Sequence, residues 1–228
     1  MPDSPRQQGI LATIGTAFRQ NWVPCVLLNA IVIALVASYY YVPAVRQLWE
    51  SVGEFKTRWS YAFSLASTIF AAVLMPSAVQ WLMGTLPSQG RAKRIALLAL
   101  FWGYRGMEID LFYRFQGWLF GTGNDALTLS KKVLFDQFVA SPVWFVPTYL
   151  IALRWVDNGG SWSRTRAALD RDFWLRTCPT VLVTNWLIWI PAAALIYSLP
   201  AALQFPLFSL VMTFFIVLVT LMARERRE

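Results

Sequence analysis

Histidine is absent from this 228-residue chain, and cysteine is limited to Cys25 and Cys178. The first absence excludes catalytic Ser-His and Cys-His pairs, zinc sites built on imidazole, and haem held by an axial histidine. Two thiols are too few for a thiolate metal site, and each lies in or beside an apolar run, where small side chains are usually buried. The sequence therefore predicts no metal site, no cofactor and no catalytic residue.

Charge is also scarce, at 14% of residues, whereas 57% are hydrophobic. A soluble domain carries about 25% charged residues, so both values indicate a chain that contacts lipid. No linker-like stretch interrupts residues 1–228, which predicts a single transmembrane domain. The net charge is +8, but the basic residues lie between apolar runs and do not form one solvated cluster. This distribution argues against a nucleic-acid partner.

Long uncharged runs predict the membrane crossings, because about 20 apolar residues span the hydrocarbon layer. Residues 20–45 and 59–90 lack charge, and so do residues 177–223, a run long enough for two crossings with Pro200 and Pro206 at the turn. Pro76 predicts a kink in the second crossing. The fold class is therefore an all-α bundle of about six transmembrane helices, at residues 22–42, 59–84, 95–120, 133–153, 180–198 and 206–223.

The basic residues predict the orientation. With six crossings, thirteen Lys and Arg residues fall on the side of both termini and five fall on the opposite side. Cytoplasmic loops carry such an excess, so both termini are expected on the cytoplasmic side of a bacterial inner membrane or an organelle membrane. The polar stretch 156–177 interleaves arginines with Trp162, Phe173 and Trp174, which predicts an amphipathic helix lying on the membrane surface.

The third predicted crossing contains four charges that sum to zero. Arg105 and Glu108 are three residues apart, and Asp110 and Arg114 are four apart, so each pair shares a helix face. The two pairs project from roughly opposite sides of the helix. Charges inside a membrane normally face protein or water. These residues are therefore either ion pairs that hold the helix packing or the lining of a polar pathway.

Three further polar residues lie inside predicted crossings. Asp136 and Gln137 belong to the fourth crossing, and Asn185 to the fifth. We expect Asp136 to face the bundle; it pairs either with Lys132 one turn earlier, or with Arg105, Arg114 or the Asn185 region. Asn185 is expected to form a hydrogen bond between helices.

Several motifs in residues 91–228 resemble the Mpv/PMP-type family of small peroxisomal and mitochondrial inner-membrane proteins. The central one is the stretch 132–137, KVLFDQ, followed by Pro142. The others are glycines followed by an aromatic pair, an Asp-aromatic pair with a later proline, and an Asn-aromatic-x-x-Trp pattern: Gly103, Gly106, Phe112 and Tyr113; Asp172, Phe173 and Pro179; and Thr184, Asn185, Trp186 and Trp189. The resemblance implies a remote member, a multi-span protein without enzymatic activity and in some relatives channel-like.

Three functions are compatible with these features. The first is a pore or transporter for small solutes, based on the charges within the membrane. The second is a non-transporting scaffold, assembly or homeostasis factor, which would act as a homo-oligomer or with another membrane protein. The third is an intramembrane enzyme that uses Asp110 and Asp136 as an acid–base pair. We expect the first, and expect the lipid bilayer as the surrounding partner.

Overall fold

The structure, a computed structural model, describes residues 10–86 and 89–225; in that part of the chain helices joined by short connections form the fold, without a β-strand. The all-α prediction is confirmed. The described residues form seven helices: α1 Ile10–Tyr41, α2 Pro43–Leu82, α3 Arg91–Phe120, α4 Ala126–Asp157, α5 Trp162–Ala167, α6 Phe173–Tyr197 and α7 Ala201–Glu225.

Four of these helices, α2, α4, α6 and α7, are long and apolar enough to cross a membrane. The apolar part of α1 that can be described, Cys25–Tyr41, is shorter. Helix α3 has 30 residues and is about 45 Å long at 1.5 Å per residue, which is long enough to cross. It contains too many charged residues to be counted with the four. The four apolar helices fit a multi-pass membrane protein.

Helices α2 and α4 begin well before the crossings that the sequence predicts. Pro43 occupies the first turn of α2, where its missing N–H costs nothing, and the carboxylate of Asp125 caps α4 by accepting from the Thr128 N–H at 3.0 Å. Five basic residues expected in loops are therefore helical: Arg46, Lys56 and Arg58 in α2, and Lys131 and Lys132 in α4. Lys56 and Lys132 are buried, which weakens the charge count used for orientation.

The backbone of α2 breaks at Ser60, whose φ of 46° is unusual for a residue other than glycine. This break lies one residue after the predicted start of the second crossing at Trp59. It separates a first half with several charges from the apolar half that ends at Leu82. The predicted crossing thus coincides with the second half of a longer, kinked helix.

Three wider, π-helical turns in the described residues contain a proline or are followed by one. These turns are Phe70–Leu74 before Pro76, Asp136–Phe145 around Pro142, and Phe173–Thr177 before Pro179. A proline has no N–H and its ring crowds the carbonyl four residues earlier, so a turn with one extra residue relieves the conflict. Pro200 lies between α6 and α7 as predicted, but Pro206 lies inside α7, so its assignment to the turn was wrong.

The predicted amphipathic helix over 156–177 was also wrong in extent. Helix α4 continues to Asp157, and Gly159 and Gly160 then adopt positive φ values of 63° and 81°. Helix α5 has only six residues. Phe173, expected at the membrane surface, is buried against Val146 and Leu150.

Polar and apolar side chains are distributed as expected for a protein in lipid. Buried positions include Arg105, Asp110 and Gln116, whereas many large apolar side chains are exposed, among them Val143 and Trp118. The described part of the chain thus has a partly polar interior and an apolar exterior.

Helices α2 and α3 pack closely because α3 presents glycine at the contact. A Cβ atom built on Gly106 would clash with the hydroxyl of Thr68 and the backbone carbonyl of Ser64. Gly103 is less constrained, since its nearest neighbours are the side chains of Leu65 and Ile69. Gly103 and Gly106 thus lie on the face of α3 that meets α2, where the lack of a side chain permits the close approach.

We predict that Gly106→Ala lowers the free energy of unfolding by about 1–3 kcal/mol, because the added methyl overpacks the α2–α3 contact. Gly117→Ala is the matched control on the same helix, since its Cβ would meet only a methyl of Thr122 at 3.6 Å. That substitution should be neutral or stabilising by up to about 1 kcal/mol. Unfolding in detergent measures both, and equal stabilities for the two variants would contradict the close contact.

Candidate functional site

A cavity of about 430 Å³ lies between α3, α4, α6 and α7. Its wall is mostly aromatic and aliphatic and carries a few polar side chains: Arg105 and Tyr113 from α3, Asp136, Gln137, Ser141 and Tyr149 from α4, and Thr180, Thr184 and Asn185 from α6. Binding sites for small molecules have this composition and fall in this range of volumes. We take this cavity as the candidate functional site.

The wide-turned stretch Asp136–Phe145 forms the α4 side of the cavity. It brings Asp136, Gln137 and Ser141 to buried positions, while Pro142 lies within the same stretch. Such π-helical turns are rare and are frequent at functional sites. The backbone of α4 thus departs from a regular α-helix where its polar side chains meet the cavity.

Asp136 is 8% exposed, and its Oδ2 accepts a hydrogen bond from the Tyr197 hydroxyl at 2.6 Å. The prediction that Asp136 faces the bundle is confirmed. The three predicted basic partners were wrong, because within residues 10–86 and 89–225 the carboxylate forms no ion pair with Lys132, Arg105 or Arg114; its partner lies on α6, the helix that carries Asn185, but twelve residues later. A neutral hydroxyl from α6 supports the charge instead.

Tyr197 joins three helices through its hydroxyl. It accepts a hydrogen bond from the Gln116 side-chain N–H at 2.6 Å and donates its own proton to Asp136. The Lys132 ammonium lies 5.9 Å from the centroid of the Tyr197 ring, in a cation–π arrangement. Lys132 therefore faces the tyrosine ring rather than the carboxylate one turn away.

Gln137 and Trp186 connect α4 with α6. The Trp186 indole N–H donates to the backbone carbonyl of Gln137 at 2.6 Å. The side-chain oxygen of Gln137 is buried and has no hydrogen-bond partner in the described part of the chain. Asn185 lines the cavity, but no hydrogen bond from its amide to a described residue is formed. The predicted bond between helices therefore comes from its neighbour, Trp186.

The guanidinium of Arg105, which lines the cavity, is held by hydrogen bonds and by aromatic rings. It donates to Glu108 Oε2 at 2.8 Å and to the Thr148 hydroxyl at 2.7 Å, so the predicted Arg105–Glu108 pair is confirmed. The rings of Phe101 and Phe145 lie 5.2 and 5.5 Å from its central carbon. Glu108 also accepts from the Trp144 indole N–H at 2.6 Å.

Asp110 lies on another face of α3, within a separate ionic cluster against α2. Its Oδ1 accepts from Lys56 at 2.7 Å, and its Oδ2 accepts from the Ser64 hydroxyl at 2.9 Å. Arg114 completes the predicted pair at 3.3 Å and donates to the Ser60 hydroxyl at 2.8 Å. This cluster lies beside the backbone break in α2 and joins α2 to α3.

The seven predicted polar residues thus divide between two places. Arg105, Asp136, Gln137 and Asn185 line the cavity, whereas Glu108, Asp110 and Arg114 do not. A polar pathway and packing pairs both stay predictions: Arg105 lines the cavity and is also paired with Glu108, whereas Asp110 and Arg114 pair with each other beside α2. The proposed Asp110–Asp136 acid–base pair has no support from this division.

Two residues that organise these places were not predicted. Lys56 was assigned to a loop, and its partner Asp110 is 54 positions later, too far for any helical spacing to indicate the pair. Tyr197 ends a helix, where an aromatic side chain normally indicates the membrane interface. No charged residue lies near Tyr197 in the sequence, so no helical spacing indicated its bond to Asp136.

A scan against protein-family models, a search of curated proteins and a search of solved structures each found no match to this chain.

We predict that Lys56→Met lowers the free energy of unfolding by about 3–5 kcal/mol. Asp110 is 1% exposed, and removal of its partner leaves a buried charge that Arg114, 45% exposed, compensates only in part. Unfolding in detergent measures the loss. The double variant Lys56→Met/Asp110→Asn should recover much of it, because the uncompensated charge is then gone.

Arg94→Met provides the matched control. Arg94 pairs with Asp157 at 2.5 Å, but both side chains are about half exposed. Exposed pairs contribute about 0–1 kcal/mol, so this variant should unfold almost as the wild type does. Equal losses for Lys56→Met and Arg94→Met would show that burial of the Lys56–Asp110 pair is not what stabilises the fold.

Proposed function

We propose that this protein is a multi-pass membrane protein that passes small solutes through the bundle, with the α3–α4–α6–α7 cavity as its solute site. One observation carries the proposal. The cavity combines a largely apolar wall with a buried carboxylate, Asp136, which has no ion-pair partner among the described residues. Isolated charges within a membrane bundle are costly and are kept where a solute or ion pathway needs them.

The proposal includes six crossings with both termini on the cytoplasmic side. Helices α1 and α3 would supply the two crossings beyond the four that are long and apolar enough on their own. The charges of α3 support this role, because Arg105 and Asp110 are buried against other helices and not directed toward lipid. A helix with its charges enclosed in this way can cross a membrane despite its composition.

Kinship with the Mpv/PMP-type family is a further part of the proposal. The motifs that carry the resemblance come together in space. Asp136 and Gln137 from the central motif line the cavity with Asn185 from the later one. The Trp186 indole bonds directly to the Gln137 carbonyl. If this chain and the channel-like family members have the same function, residues from separate motifs are expected to meet at one site, as these do.

The scaffold hypothesis has one observation in its favour. The cluster of Lys56, Asp110 and Arg114 lies away from the cavity and satisfies its charges within the chain. Such pairs stabilise helix packing without a solute. Crosslinking in native membranes tests this alternative: a stoichiometric partner together with the absence of solute flux would favour a scaffold over a transporter.

In proteoliposomes we predict flux above that of empty liposomes for at least one of glycerol, choline and gluconate, measured by stopped-flow light scattering. Asp136→Asn should lower that flux by about tenfold, the effect of losing one interaction of about 1.4 kcal/mol with the solute. The substitution removes the charge and keeps the side-chain shape.

Asp157→Asn is the control, because it makes the same chemical change at an exposed carboxylate outside the cavity. Its flux should equal that of the wild type. If none of the three solutes crosses faster than through empty liposomes, the transport proposal is wrong.

A further inference from the structure

The charges around the cavity distinguish between the ligands that it can accept. Among the residues that the structure describes, the charged side chains that line it are Arg105 and Asp136. An anion would need free donors from Arg105, and a cation would need a free carboxylate. The hydrogen bonds of these two residues therefore decide which charge the site favours.

Arg105 already uses both terminal nitrogens of its guanidinium as donors within the protein, which leaves few donors for an anion. One terminal nitrogen donates to Glu108 at 2.8 Å, and the other donates to Thr148 at 2.7 Å. Aromatic rings lie close to the guanidinium, at 5.2 Å for Phe101 and 5.5 Å for Phe145. Its positive charge is already balanced by Glu108, and only 3% of the residue is exposed.

Asp136 is in the opposite situation. Among the described residues its hydrogen bonds come from neutral side chains, the Tyr197 hydroxyl and the neighbouring Gln137 amide, and no basic side chain lies within ion-pair distance. Lys132, one turn earlier, faces the Tyr197 ring and does not line the cavity. The carboxylate therefore has capacity for a positively charged donor.

The neutral part of the wall also suits a cation. Aromatic side chains line the cavity, including Trp102, Tyr113, Tyr149 and Trp189. The faces of such rings attract organic cations, most strongly where water is excluded. The buried amide oxygen of Gln137 is a second acceptor without a donor next to Asp136.

We propose that the cavity binds an organic cation, an ammonium group on an apolar body, with Asp136 as counter-ion and the aromatic wall around the body. This inference rests on the proposed solute site and specifies its substrate class. The ammonium N–H groups would donate to the Asp136 carboxylate, and the apolar body would replace water against the rings of Trp102 and Trp189.

Three probes with the same apolar body but different head groups test the inference: phenethylammonium, 2-phenylethanol and phenylacetate. Equilibrium dialysis of the radiolabelled compounds against the purified full-length protein in detergent measures binding, with empty micelles subtracted. We expect phenethylammonium to bind at least about tenfold more tightly than the alcohol and the anion. Equal or tighter binding of phenylacetate would overturn the proposal.

Variants then assign the charge. Asp136→Asn should weaken phenethylammonium binding by about tenfold and leave 2-phenylethanol binding unchanged, whereas Asp157→Asn should alter neither. Unchanged cation binding in a folded Asp136→Asn variant would overturn the role of this carboxylate. If that variant does not fold, the comparison of the three probes on the wild type still decides the ligand class.

Binding and flux separate the two proposals. Cation-selective binding without flux of any solute would leave the ligand assignment in place and contradict transport. Flux with a preference for the anionic probe would support transport and contradict the organic cation.

Discussion

The buried pair of Lys56 and Asp110 is the interaction on which the arrangement of helices depends. Lys56 Nζ lies 2.7 Å from Asp110 Oδ1, and both side chains are almost completely buried. Because an unpaired charge is so costly at this depth, α2 and α3 have to meet where the two residues align. Gly106 allows that approach, and the Ser64 hydroxyl completes the coordination of the carboxylate. The contact therefore sets how far α3 can slide along α2 and which of its faces points toward α2.

With one face of α3 held against α2, another face is directed at α4, α6 and α7. That face carries Arg105 and Tyr113 to the cavity, and the Arg105–Glu108 pair connects α3 to α4 through Thr148 and Trp144. Tyr197 then ties α6 to both helices. The same helix thus stabilises the bundle on one side and forms part of a binding site on the other.

The sequence predicted what depends on spacing within one helix. The apolar runs indicated the helices, and the three- and four-residue spacings gave the pairs Arg105–Glu108 and Asp110–Arg114. Contacts between distant helices have no such signal. Lys56 was placed in a loop because a basic residue near an apolar run usually lies in water, and no feature of the sequence singled out Tyr197. The start of α2 was missed for the same reason, since charge density alone cannot separate a polar loop from the charged first half of a longer helix.

If the proposed function is right, the cavity between α3, α4, α6 and α7 is open to water and solutes, while lipid covers the outer surface of the bundle. Labelling by a hydrophilic, membrane-impermeant thiol reagent in proteoliposomes tests it directly, after the native Cys25 and Cys178 are changed to serine. Thr184→Cys places a thiol on the cavity wall, and Val143→Cys places one on the exposed apolar surface, where the native side chain is 72% exposed. The account predicts rapid labelling at position 184 and little at 143, because lipid covers the second site. Labelling at 143 but not at 184 would contradict both the water-accessible cavity and the lipid-facing surface.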